Sequence, residues 1–310
     1  MIEIIRLKKN YGNLNALKGI DMSINFKEIY GFIGPNGAGK STTLRILSTL
    51  TRDYEGEVVI DNMHLDINNR YELRKQIGFM PDVVGIYRHI FVWEYLDFFC
   101  RAYEVPPSKR NKIIDDCLAL VDLSEKKNSL VGHLSRGMTQ RLLLAKTLVH
   151  NPKILLLDEP ASGLDPRARI ELLMLLKELK SMGKTILISS HILSEMEGLC
   201  DRFGIIEAGE MVFEGSLDDI QIKLRSGNYI SLGFYRELSK PENEAILEIE
   251  DVIEMKGEGK EYTILCNDGD ESIKKIMKHL IMSDFPIISF SPRKYNLDEV
   301  FMKITKGKVQ

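Results

Sequence analysis

Cysteine is scarce in this sequence: four in 310 residues, and no two of them form a C-x-x-C pair. Cys100, Cys117, Cys200 and Cys266 are scattered. That excludes a disulfide scaffold and a cysteine zinc site, and leaves small core residues of a reducing compartment. Long apolar runs are missing too. A bilayer span needs roughly 18–20 consecutive apolar residues, and the bursts Ile154–Leu157 and Leu172–Leu176 stop far short. The opening Met1-Ile2-Glu3-Ile4-Ile5 carries an early acid and lacks a signal-peptide layout. Nor is there a basic excess. Lys and Arg number 42 against 45 Asp and Glu, a formal net charge of −3. A nucleic-acid partner, which wants a clustered basic face, is not expected. Lys109–Arg110 and Lys126–Lys127 are short enough to be solvated surface. Repeats and low-complexity segments are absent as well. The expected location is cytoplasmic, with any membrane role coming through a partner.

What remains is a globular composition, 44% hydrophobic and 28% charged, long enough for one large domain and one small one. Over the first two hundred residues, strand-like and helix-like segments alternate. Glu28–Ile33 is β-rich, a glycine turn follows, and Thr42–Leu50 has helical spacing. Ile154–Leu157 is a continuous apolar run, as in a strand buried on both faces. Pro166–Ser181 reads as a helix with Ile170, Leu173 and Leu176 on one side, and Lys184–Ser189 as the next strand. This order predicts an α/β fold with a mostly parallel sheet. Residues of about 85–150 read as a helical insertion. Trp93, Leu96, Phe99 and Cys100 share one stripe, and Ile113, Ile114, Cys117, Leu118 and Val121 another. Beyond the Ala208-Gly209 hairpin turn the pattern ends near Leu224, dividing the chain into 1–224 and 225–310. The tail reads as a small α+β domain. Tyr229–Phe234, Tyr262–Cys266 and Pro286–Phe290 look like strands. Glu271–Met282 reads as an amphipathic helix, and a second helical stripe runs through Leu297, Val300, Phe301 and Ile304.

The sharpest signal is Gly34-Pro35-Asn36-Gly37-Ala38-Gly39-Lys40-Ser41-Thr42. It matches G-x-x-x-x-G-K-[ST] between a strand and a helix, the P-loop context. Glycines let backbone N–H groups turn inward around a phosphate, and the helix tip adds its dipole and unpaired donors. Lys40 is placed on the β- and γ-phosphates of ATP, Ser41 on Mg2+, and Thr42 on the α-phosphate. Downstream, Ile154–Leu157 ends in Asp158-Glu159. Neighbours on a strand face opposite ways, so two adjacent acids can do different work. Asp158 is expected to hold Mg2+ through water, and Glu159 to act as general base on the attacking water.

Leu134-Ser135-Arg136-Gly137-Met138-Thr139-Gln140-Arg141 resembles the LSGGQ signature of ABC ATPases. Ser162-Gly163-Leu164-Asp165 resembles their D-loop, and Ser189-Ser190-His191 their switch histidine. Order and spacing fit over about residues 1–224. The resemblance implies the ABC ATPase form of the P-loop NTPase fold: a parallel-sheet core, an antiparallel β part and a helical subdomain. It implies an ATPase whose subunits pair head-to-tail as a homodimer, driving a separate integral membrane permease on the inner face of the cell membrane. Each ATP would lie between one subunit's P-loop and the other's signature, where Ser135 and the Gly137 amide meet the γ-phosphate. His191 would steady Glu159 and the water in its own subunit, and Asp165 would link the two sites. Tyr11 is similar to the aromatic that stacks on adenine. His64, His89, His133, His150 and His279 lack metal-ligand spacing and carry no assigned role.

Two positions depart from the family pattern. Asp82 stands where Gln is usual, and is expected to reach a water on Mg2+. Arg136-Gly137-Met138 replaces the commoner Gly-Gly-Gln. The variant looks like the branch of drug, antibiotic, lipid and polysaccharide exporters, and Leu297-Asp298-Glu299-Val300-Phe301 resembles the ending of efflux subunits in that branch. Ile86–Tyr95 is the expected permease-docking surface. Trp93 is assigned to the helical core, whereas Tyr87, Ile90 and Phe91 could serve either role. Two other readings are a soluble ABC ATPase working on ribosomes or DNA, and an importer subunit. The first usually brings paired ATPase halves, coiled coils or basic arms. The second commonly has a larger tail of β-barrels.

Overall fold

The computed structural model describes residues 1–83, 85–216, 219, 228–267 and 269–292, which fall into two compact units within residues 1–217 and 218–300. The sequence division at 224/225 and the stripe Leu297–Ile304 lie outside the described residues.

The first unit holds two sheets. Strands β1 (Ile2–Tyr11), β2 (Leu14–Ile24), β4 (Glu55–Ile60) and β5 (Met63–His64) form an antiparallel sheet in the order β2-β1-β4-β5. The second sheet runs β10-β9-β3-β8-β7-β6. Its members are β3 (Ile29–Ile33), β6 (Ile77–Met80), β7 (Ile154–Leu157), β8 (Thr185–Ser190), β9 (Arg202–Glu207) and β10 (Glu210–Gly215). All pairs are parallel except the edge pair β9–β10. That pair turns at Ala208 (φ 48°) and Gly209 (φ 84°), successive left-handed residues suited to a two-residue hairpin. The residues of β3, β7 and β8 are buried throughout, which is why β7 reads as an unbroken apolar run.

Helices cover these sheets: α1 (Lys40–Leu47), α2 (Arg70–Gln76), α3 (Val92–Ala102), α4 (Pro107–Leu120), α5 (Arg136–Leu148) and α6 (Pro166–Ser181). One core joins both sheets through α1, with Ile2, Leu17, Phe32, Leu44, Leu47, Leu156 and Leu187 fully enclosed. At about 25 cal/mol per Å² of apolar surface, each such side chain contributes about 1.5–3 kcal/mol. Helix α6 starts where Asp165 caps it, accepting the Ala168 N–H at 2.9 Å, and Pro166 sits in its first turn.

Two helical readings need correction. The buried face of α6 is Leu172, Leu175, Leu176 and Leu179, while Ile170 is 53% exposed. The helix carries apolar residues on more than one side, so spacing alone did not set its phase. In α3 the buried stripe is Val92, Tyr95, Leu96 and Cys100. Trp93 stands outside that core, exposed alongside Tyr87 and Phe91, while Ile90 is half-buried.

The second unit is β11 (Asn228–Phe234), α7 (Lys240–Leu247), β12 (Val252–Glu258), β13 (Glu261–Cys266), α8 (Asp270–Met282) and β14 (Ile287–Pro292). Its antiparallel sheet runs β12-β13-β11-β14, the split β-α-β-β-α-β arrangement. Ile230, Leu232, Phe234, Tyr262 and Ile264 alternate onto one face and pack with Ile246, Ile276 and Leu280 of the two helices. The α8 stripe is narrower than the spacing suggests. Ile276 and Leu280 are buried, whereas Met277 and Ile281 are exposed.

Candidate functional site

Four loops leave the C-terminal ends of neighbouring strands β3, β8, β7 and β6, the place where open α/β sheets take ligands. The loop after β3 is Gly34–Gly39. Gly37 (φ 82°) and Gly39 (φ 111°) hold left-handed backbone, and Gly39 is the residue from which α1 springs. A side chain at Gly39 would meet Leu17 and the Ala16 carbonyl. The first turn of α1 contains no acid and no side chain caps it, so no group of its own competes for the unpaired N–H donors at its tip. Gly34 N–H donates to Ser190 O at 3.2 Å, and Ala38 N–H to Pro35 O at 3.2 Å, which closes the loop.

Lys40 is buried. Its ammonium donates to the Gly34 carbonyl at 2.6 Å and the Pro35 carbonyl at 3.2 Å, and lies 3.3 Å from Glu159 Oε1. Burial lowers the Lys40 pKa, and the Glu159 carboxylate opposes that shift. Glu159 Oε1 is enclosed without a hydrogen bond of good geometry. Its contact with Lys40 is therefore electrostatic, leaving lone pairs for another donor.

β7 stops at Leu157, so strand alternation does not separate the two acids as the sequence suggested. The separation comes from Glu159 itself, at φ 48° in the left-handed region. Asp158 stays buried, its N–H bonded to Met80 O at 2.8 Å, while Glu159 turns out into the groove. Such a backbone costs a non-glycine residue roughly 1–3 kcal/mol and persists where surrounding bonds fix it.

Ser189 supplies those bonds, and the sequence reading gave it no role. Its hydroxyl donates to Asp158 Oδ1 at 2.7 Å and accepts the Glu159 N–H at 2.9 Å. Only the parallel pairing of β7 with β8 brings it there. His191 follows β8, with Nδ1 2.8 Å from Glu159 Oε2. Beside a carboxylate, Nδ1 is the nitrogen that carries the proton.

A groove of about 280 Å³ is lined by Tyr11, Asn36, Gly37, Gly39, Lys40, Ser41, Thr42, Asp82 and Glu159. Leu14 and Ala16, which the sequence reading passed over, also line it. Tyr11 is 45% exposed, with the Lys9 ammonium 4.9 Å from its ring centre. Burial and the charges of Asp158 and Glu159 raise the Asp82 pKa, while Arg136 and His191 pull it back. Buried cation, helix-tip donors and left-handed glycines complement a polyphosphate. Ser41, Asp82 and Asp158 offer the oxygen donors a hard cation takes alongside phosphate. Among the described residues no group of three or more His, Cys, Asp or Glu could hold a metal alone.

Ser135, Gly137 and Asp165 line a second groove of about 520 Å³. Ser135 caps α5, its Oγ accepting the Met138 N–H at 3.3 Å. His150 has a packing role: it stacks on Tyr103 with ring centres 3.7 Å apart, and its Nε2 meets Ile77 O at 3.0 Å.

A family model described as ABC transporter matches residues 17–162, and one described as ATP-binding protein DrrA1-3-like, C-terminal domain, matches residues 215–305. The bacitracin transport ATP-binding protein BcrA of Bacillus licheniformis is 32% identical over 99% of this chain and 98% of its own. The linearmycin resistance ATP-binding protein LnrL of Bacillus subtilis is 33% identical over 75% of this chain and 74% of its own. A dimeric cassette, MJ0796, solved in a post-hydrolysis state with ADP and Pi, is 29% identical. It superposes with a TM-score of 0.63 over 70% of this chain and 99% of that one.

Proposed function

Since the chain belongs to the ATP-binding subunits of ABC transporters, a family of ATPases that work with membrane permeases, we propose that it powers an exporter as a head-to-tail homodimer with Mg2+-ATP. Relatives named for bacitracin transport, linearmycin resistance and Nod factor export support the outward direction. Among the described residues no helix is long and apolar enough to cross a membrane, so the work must leave through contacts. Half-exposed apolar groups at Tyr87, Phe91 and Trp93 suit a permease helix. So does a groove lined by Leu50, Arg74, Phe79, Pro81 and Tyr103.

The observation that carries the reading is the split of the site. Lys40, Ser41, Thr42 and Glu159 share one groove, whereas Ser135, Gly137 and Asp165 line another. Pairing head-to-tail joins the first groove of one subunit to the second groove of its partner. Loop amides, α1 N–H groups and Lys40 then bind the β- and γ-phosphates, and Tyr11 takes the adenine. When bound, Mg2+ neutralises phosphate charge, held by Ser41 with Asp82 and Asp158. Glu159 accepts a proton from water as its oxygen attacks the γ-phosphorus. The bond to the β–γ bridging oxygen breaks and ADP leaves with that oxygen. His191 fixes the Glu159 carboxylate.

A complementation experiment tests this. Lys40→Ala breaks one element of the composite site, and Ser135→Arg breaks the other. Each chain alone should be inactive. Mixing them should restore turnover, because the mixed dimer holds one site with both elements intact. A mixture as inactive as its components would refute the head-to-tail site. Isolation from membranes with a permease of about six apolar 20-residue spans tests the transport role.

A further inference from the structure

The second groove contains a contact that the family resemblance does not explain. Arg136 is exposed, and its guanidinium folds back onto its own chain. It donates from Nη2 to the Ser162 carbonyl at 3.1 Å. It also lies against Gly163, whose φ is 65°, in the space a Cβ there would fill. One residue on, the backbone of Gly137 approaches the neighbouring helix: a Cβ at Gly137 would stand 3.2 Å from Ala168. Within one chain the signature turn thus meets the segment Ser162-Gly163 through Arg136 and helix α6 through Gly137.

The contact does not end at Ser162, whose N–H donates to the Glu159 carbonyl at 3.0 Å. A continuous path runs from the Arg136 side chain through the carbonyl and N–H of Ser162 to the residue whose backbone is already held left-handed. Arg136 is also near enough to Asp82 to oppose the upward shift of that carboxyl.

We propose that Arg136 is a positioning residue that fastens the signature turn to Ser162-Gly163, so that nucleotide bound at one composite site sets Glu159 at the other. The proposal rests on the head-to-tail reading. There a subunit's signature faces its partner's nucleotide while its Glu159 serves its own. A planar fork bonded to a carbonyl and packed against a glycine transmits a displacement of α5 better than a glycine at position 136 could. Coupling of this kind is reciprocal for binding and should appear as cooperativity in ATP.

The test uses the purified full-length chain and its Arg136→Ala, Arg136→Lys, Gly163→Ala and Arg136→Ala/Gly163→Ala variants. Gly163→Ala places a methyl where the guanidinium lies. Turnover is measured against ATP concentration, with ATP-driven dimerisation followed in the Glu159→Gln background. Arg136→Ala should lower kcat about tenfold with KM within about twofold, as expected when a catalytic group is set slightly out of place. Cooperativity in ATP should vanish, the dimer should still form, and Arg136→Lys should recover part of kcat. Gly163→Ala should give the same loss, and the double variant no more than either single. Unchanged kcat and cooperativity in a dimer that still forms would overturn the role of Arg136 alone. So would a rise in KM at constant kcat, which would make Arg136 a direct nucleotide contact, or losses that multiply in the double variant. Failure of the Glu159→Gln chain to dimerise with ATP would remove the two-site reading and this coupling with it.

Discussion

Replacing Glu159 by Gln keeps the shape of the side chain and removes its charge. Two contacts then change. The carboxylate lies 3.3 Å from the Lys40 ammonium and 2.8 Å from His191 Nδ1. At an effective dielectric of about 20, the first attraction is on the order of 5 kcal/mol gross. Enclosing both groups offsets most of it. In the intact protein a triphosphate must compete with Glu159 for that ammonium and meets the repulsion of the carboxylate. With Gln, ATP affinity should hold or tighten by about fivefold at most, about 1 kcal/mol. The catalytic effect runs the other way. The amide cannot accept the proton of the attacking water, so kcat should fall by about 10²–10⁴-fold. Fluorescent-nucleotide titration measures the first quantity, phosphate release the second, and size-exclusion chromatography with ATP the trapped dimer. Turnover within about threefold of the parent at equal nucleotide binding would show that the proton goes elsewhere.

Three further outcomes are expected. Ser189→Ala removes the acceptor of the Glu159 N–H and a donor to Asp158 in a fully buried place. It should cost about 1–3 kcal/mol of stability and lower kcat about tenfold, read by thermal melts and phosphate release. An unchanged melt would deny that Ser189 holds the turn. Asp82→Gln removes a carboxyl that Asp158 and Glu159 disfavour electrostatically. Turnover should stay within about fivefold, since screened charges on exposed groups are worth about 0.2–1 kcal/mol. A hundredfold loss would show that the acid itself is required. His150 is pushed by burial from the usual 6.5 to about 4. Between those pH values the unfolded chain binds the extra proton. Stability is therefore full above the upper value and drains away as pH falls toward the lower, by on the order of 3 kcal/mol. His150→Gln should flatten that part of the melting-temperature profile relative to the parent, and equal slopes would refute the assignment.

The sequence carried most of the elements that position the site. Strand Ile154–Leu157 and helix Pro166–Ser181 have the limits read from the chain, since an unbroken apolar run and an Asp-Pro start are local signals. Strands β1 and β2 escaped that reading. Their alternation is broken by register shifts and by Arg6 at φ 49°. Ser189 was unreadable in its role because its partners stand thirty and thirty-one positions away and meet it only through strand pairing. Glu159 was legible as an acid at a strand end, but its left-handed turn was not, because nothing local demands it. The outward position of Trp93 depended on which of two apolar stripes α3 presents to α4 and α5, a choice made by packing.

The backbone of Glu159 has a consequence for inherited variation. Glycine or asparagine would occupy φ 48° at lower conformational cost than glutamate. On the role proposed for Glu159, a mutation to either would relieve tension in the same change that removes the general base. Such chains should escape proteolytic clearance, accumulate to normal levels and still pair with intact ones. A silenced allele at this codon would then act as a dominant poison, whereas a core-disrupting allele would be recessive.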